Sequence, residues 1–168
     1  MPGRYEVRLI ANGRTYSQPL EILIDPRVTT SQADLARQFE LEREITQDLN
    51  RSFKTVEQIK NTQNNLKATL QHERADSAQG AAGKLDAAMS ALAGVAGPDA
   101  PSDSLTAINS RLAALLPAVD LADVAPTAEQ ERVFRKMHAA LERGLAEWTR
   151  LQQELATRHW GTTRWSQP

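Results

Sequence analysis

Cysteine is absent from all 168 residues. That excludes disulfides, thiolate metal sites and thiol nucleophiles. Aromatic residues are scarce at 5%, and the 40% hydrophobic content is dominated by Ala and Leu. Such a balance suits helix-on-helix packing better than an aromatic-rich β core. Neither sign of charge is in excess: 20 basic and 21 acidic side chains leave a formal net charge of −1. A duplex-binding surface shows as a basic excess or a Lys/Arg-dense face, so nucleic acid is not an expected partner. No apolar run approaches the ~20 residues that span a bilayer, and no membrane span is expected. The opening MPGRYEVRLI lacks a charged segment followed by an apolar one, so it does not read as a signal peptide. With Met1 as the true start, the chain is expected to stay in the cytoplasm.

Motifs that carry chemistry are also missing. His72, His138 and His159 belong to no His-Glu-x-x-His, and none follows a Glu by three residues as helix-borne metal ligands commonly do. They read as surface or helix-end residues. No Gly-x-Ser-x-Gly elbow occurs. Gly80-Ala81-Ala82-Gly83 lacks the Lys and hydroxyl of a phosphate loop and reads as a link. Glu40, Glu42 and Glu44 are mixed with Arg37 and Arg43 in the manner of a solvated helix face. No catalytic, cofactor-binding or metal-ligating residue is assigned, and no cofactor is expected. An enzyme is the weakest reading; it needs a pocket between the first segment and the helices, using groups such as Tyr5, Arg27, Glu42 or His138.

Residues 1–28 carry a β pattern. Asn12-Gly13 is the strongest short-range hairpin signal, because both central residues of a type I′ turn need positive φ. With those two at the turn, Ala11 faces Arg14, Leu9 faces Tyr16, Val7 faces Gln18 and Tyr5 faces Leu20. Tyr5, Val7, Leu9, Tyr16 and Leu20 then share one face, continued by Ile22 and Ile24, while Glu6, Arg8, Thr15 and Ser17 fall on the other. Pro19 lacks a backbone donor and belongs at an edge or at the end of the ladder. A lone two-stranded hairpin is marginal in water. Its apolar face is covered either by the helices downstream or by further strands outside this segment.

Residues 29–160 read as a mainly α, up-down-up antiparallel bundle of three arms. Ser31 with Asp34 forms a helix start. Leu35, Phe39, Ile45, Leu49, Phe53, Val56, Ile59, Leu66 and Leu70 make one stripe, with Glu42 and Gln63 filling gaps and Asp48 among the polar residues opposite. This first helix is expected to end near Asp76. Ser77–Gly83 reads as a turn. The middle arm carries Leu85, Met89, Leu92 and Val95, breaks at Gly97-Pro98, and restarts at Ser102 or Ser104 with Leu105, Ile108, Leu112, Leu115 and Leu116. Pro117 to Pro126 reads as a connection. Thr127 with Gln130 repeats the capping-box spacing, and Val133, Met137, Leu141, Leu145, Trp148, Leu151 and Leu155 form the last stripe. Trp148 reads as core, whereas Trp160 and Trp165 read as part of a tail, with residues 161–168 outside any period. The near-heptad spacing also allows a homodimer joined through the long first helix, which would make the chain a free-standing interaction protein.

The order of parts resembles the C-terminal region of large bacterial BNR-repeat proteins, often labelled sortilin-like or glycosyl hydrolase-like. The resemblance rests on Pro2, Gly3, Tyr5, Val7, Leu9, Gly13 and Tyr16, then Asp25-Pro26-Arg27-Val28, then the helices, with Ala125–Gln130 like the start of the last one. It implies that residues 1–28 are the last two strands of an immunoglobulin-like sandwich. It implies as partners an upstream β-propeller and that sandwich, in a parent protein that is exported to the periplasm or beyond. No Asp-box repeat (Ser-x-Asp-x-Gly-x-x-Trp) occurs here, and no family catalytic residue maps onto these positions. The expected role is that of a non-catalytic structural module.

Overall fold

The computed structural model describes residues 2–70, 76–94, 101–158 and 160. Two strands, β1 (Gly3–Ala11) and β2 (Arg14–Ile22), precede four helices among the described residues: α1 (Gln32–Leu70), α2 (Asp76–Ala93), α3 (Leu105–Val119) and α4 (Ala128–Thr157). The protein is mainly helical, a bundle with an N-terminal hairpin.

The hairpin register is the one the turn demands. Asn12 at φ 51° and Gly13 at φ 73° form the connection. Ala11 then pairs with Arg14, Leu9 with Tyr16, Val7 with Gln18 and Tyr5 with Leu20. The two strands pair with each other, and among the described residues neither packs on a helix.

The starts of α1, α3 and α4 are chemically marked. The Ser31 hydroxyl accepts from the Asp34 backbone N–H at 3.1 Å. The Ser104 hydroxyl accepts from Ala107 N at 3.3 Å. Thr127 and Gln130 form a reciprocal capping box at 3.2 and 2.8 Å. At 39 residues, α1 is about 58 Å long. Its side-chain partners fix the directions of the others. Gln63 reaches Asp86, Asn109 reaches Ser52 and Gln38 reaches Val119, so α2 and α3 together run back along α1. Arg37 meets Glu131 and Gln58 meets Trp148, so α4 runs parallel to α1. The core lies along this seam, with Ile45, Ile59, Leu66, Met89, Leu105, Ile108, Leu112, Leu141 and Leu151 fully enclosed.

Several expectations are corrected. Ser77–Gly83 is not a turn but lies inside α2. Gly80 and Gly83 are exposed, and their cost of about 1 kcal/mol each is offset by burying Ala82, Leu85, Met89 and Ala93. Pro117 does not begin a connection, because α3 continues to Val119. Proline in the last turn removes one bond, and glutamines from elsewhere satisfy the carbonyls near this end. Gln38 donates to Val119 O and Ala122 O at 2.9 and 3.0 Å, and Gln130 donates to Ala118 O at 2.8 Å.

The buried stripe of α1 also differs. It runs through Leu35, Gln38, Leu41, Ile45, Asp48, Ser52, Thr55, Ile59 and Leu66, whereas Phe39 and Phe53 stand exposed. On α4 the seam takes Phe134, with Val133 only half-buried. Trp160 is no tail residue: it is buried, its backbone N–H reaches Leu155 O at 3.0 Å, and the Arg158 guanidinium lies 5.6 Å from its ring centre. Val95, the Gly97-Pro98 break, His72, His159 and Trp165 lie outside the described residues.

Candidate functional site

Three places stand out on the molecule: the hairpin surface, a polar cluster between α1 and α4, and a cavity at the base of the hairpin.

On the hairpin, Val7, Leu9, Tyr16, Leu20 and Ile22 share one face and are 43–61% exposed. Tyr5 lies on the same face and is also exposed. The two-residue turn makes Ala11 and Arg14 a mutually hydrogen-bonded pair, and the pattern alternates from there. The backbone N–H and C=O of Arg4, Glu6, Arg8 and Ile10 therefore point out from β1, and those of Thr15, Ser17, Pro19 and Glu21 point out from β2. Pro19 removes the donor in the middle of the β2 edge. The β1 edge is complete. On the polar face, Arg8 binds Glu6 within the strand at 2.8 Å, and Arg4 stands 3.6 Å from Glu21 on the neighbouring strand.

Between α1 and α4, the Asp48 side chain is only 3% exposed. Its Oδ2 accepts from His138 Nδ1 at 2.7 Å and its Oδ1 from Arg51 at 3.2 Å. Arg51 continues to Glu142 at 2.6 Å and holds that carboxyl below the ordinary carboxylate range. The Phe134 ring covers His138 at 5.7 Å. His138 is thus a surface residue by exposure, but it also closes a buried carboxylate. An Asp–His pair activates a nucleophile only if one stands at the far ring nitrogen. Here Nε2 faces Glu142 at 3.9 Å, an acceptor. The cluster joins helices in register. Hydropathy missed Asp48, but spacing could have found it: Gln38, Leu41, Ile45, Asp48, Ser52, Thr55 and Ile59 alternate by three and four.

At the base of the hairpin, an open cavity of about 250 Å³ lies between Ile22, Leu23, Ile24 and Asp25 and the bundle residues Leu35, Gln38, Phe39, Glu42, Asp120 and Asp123. Burial pushes the Glu42 carboxyl up, and the nearby Asp120 and Asp123 add to the effect. Of Tyr5, Arg27, Glu42 and His138, Glu42 lines this cavity and the other three do not. Arg27 is held by Asp25 at 2.6 Å on the surface, and His138 is bound to Asp48 in the cluster between the helices. These four groups are not brought together. Among the described residues, no three His, Asp or Glu side chains converge as a metal site requires. No described helix is long and apolar enough to cross a membrane. Comparison with protein-family models, curated proteins and solved structures finds no match to this chain.

Proposed function

We propose that this chain is a non-catalytic structural and interaction module. In this reading the hairpin is the terminal strand pair of an immunoglobulin-like sandwich in a larger exported protein of the BNR-repeat, sortilin-like kind. The bundle spaces or supports the propeller of that protein. The observation that carries the reading is the open apolar face of the hairpin: Val7, Leu9, Tyr16, Leu20 and Ile22 remain 43–61% exposed, and no described helix covers them. Fully burying such a side chain stabilises by about 1.5–3 kcal/mol, so this face gains substantially from a second sheet. An isolated pair of strands is too small to hold its own shape well. The Asp25-Pro26 junction supports the reading further. Asp25 Oδ1 accepts from Arg27 N at 2.9 Å and its carboxylate grips the Arg27 side chain, making a firm turn between ribbon and bundle. The test is the reading frame upstream of Met1. Continuous coding for alternating strands is the expected result, and a stop codon just above a ribosome-binding site overturns it.

A further inference from the structure

We infer that the outer edge of β1 is a self-pairing surface whose occupant is β1 of a second copy of this chain, running antiparallel. This concerns the strand edge and leaves the apolar face for another sheet; for that edge it is an alternative to the modular reading, because in an immunoglobulin-like sandwich a further strand of the same sheet would lie along β1.

The backbone decides which edge is available. An added strand needs alternate N–H and C=O groups, and Arg4, Glu6, Arg8 and Ile10 supply an unbroken set on β1. The β2 edge lacks its central donor at Pro19. Among the described residues, no third strand occupies either edge.

The side chains decide the register. β1 spans Gly3–Ala11, so full antiparallel overlap of two copies places Val7 on the two-fold axis. Glu6 then stands opposite the partner's Arg8, and Arg8 opposite the partner's Glu6. Both are outward-pointing positions, so each pair can exchange two backbone hydrogen bonds. Within one copy Arg8 and Glu6 already attract at 2.8 Å, so the four charges alternate in sign around the axis. Sliding the strands by two residues either way brings Glu6 against Glu6 or Arg8 against Arg8. Like charges directly opposite are unfavourable, so the longest overlap is also the best charge match. The product is a four-stranded sheet, which passes the size at which strands hold together.

Sedimentation equilibrium of the full chain over a range of concentrations tests this. A monomer–dimer equilibrium is expected. Glu6→Arg alone and Arg8→Glu alone should each weaken the dimer by roughly tenfold or more, since the two-fold axis repeats each clash. The combined reversal, Glu6→Arg with Arg8→Glu, should restore it. Both positions are exposed on the hairpin, away from the helices, so an unchanged helical melting curve verifies the bundle of each variant, and rescue by the combined reversal verifies the hairpin. A monomer at every concentration overturns the proposal. So does a dimer indifferent to the single reversals, as one joined through Phe39 and Phe53 on α1 would be, or a double reversal that fails to rescue.

Discussion

Asp48 is the residue at which polarity and burial conflict most. A carboxylate 3% exposed must be paired, and His138 and Arg51 supply the partners from the adjacent helix and the next turn. Removing His138 leaves that carboxylate with Arg51 alone. We expect His138→Ala to cost about 1–3 kcal/mol in urea denaturation. The Asp48→Ala, His138→Ala double variant should lose less than the sum of the singles, because the two act as one unit. Full additivity would show that the contact carries no energy. Glu42 makes the opposite case. Its folded pKa is raised, so the stability linked to its protonated form is present below the unfolded value of 4.5 and is lost as pH rises through the folded value. Glu42→Gln should therefore stabilise the protein at neutral pH, and the gain should vanish below about pH 4.5. Melting temperatures of both proteins across pH 4 to 8 check the sign.

At the scale of elements, the end of α2 packs closely against the start of α3. Gly94 ends α2 at φ +75°, and its N–H bonds Ser90 O at 3.0 Å. A Cβ there would stand 2.3 Å from the Ser104 hydroxyl, which caps α3. Gly94→Ala should thus strain the end of one helix and displace the cap of the next, costing about 1–3 kcal/mol. Thermal unfolding followed by helical ellipticity measures it, and an unchanged midpoint would contradict the packing described. The helix starts at Ser31 and Thr127 were legible in sequence because a cap needs only residues three apart, whereas the start of α3 was narrowed only to Ser102 or Ser104. The α1–α2 boundary was not. Glycines usually mark turns, but here the burial of Ala82 and its neighbours keeps Gly80 and Gly83 helical. Phe39 and Phe53 misled for a related reason: apolar character names a candidate for the core, and the heptad path decides which residues enter it.

At the scale of the whole molecule, the described strands and helices share little contact. The strands pack on no helix, and the approach at their base is an open cavity. Removing residues 1–24 should therefore leave the helical melting midpoint within about 4 °C, the upper end of the shift that 1 kcal/mol produces in a chain of this size. A larger drop would mean that the ribbon supports the bundle after all. Within the bundle, side chains of α1 tie it to every other arm: Gln63 to Asp86, Ser52 to Asn109, Asp48 to His138 and Gln58 to Trp148. Every buried side-chain nitrogen or oxygen among the described residues has a partner.

What the amino-acid sequence determined alone was local. The Asn12-Gly13 turn set the register of the ribbon, because two positive φ angles admit few other residues. Hydroxyl caps set the starts of α1 and α4, and the Ala and Leu content set the helical class. Tertiary structure decided the rest. It placed Asp48, Gln38 and Ser52 inside, carried α3 through Pro117, and enclosed Trp160 while leaving the hairpin face open. The reason is one of range: caps and turns are satisfied within four residues, whereas burial of a polar side chain depends on a partner some 60 to 90 residues away.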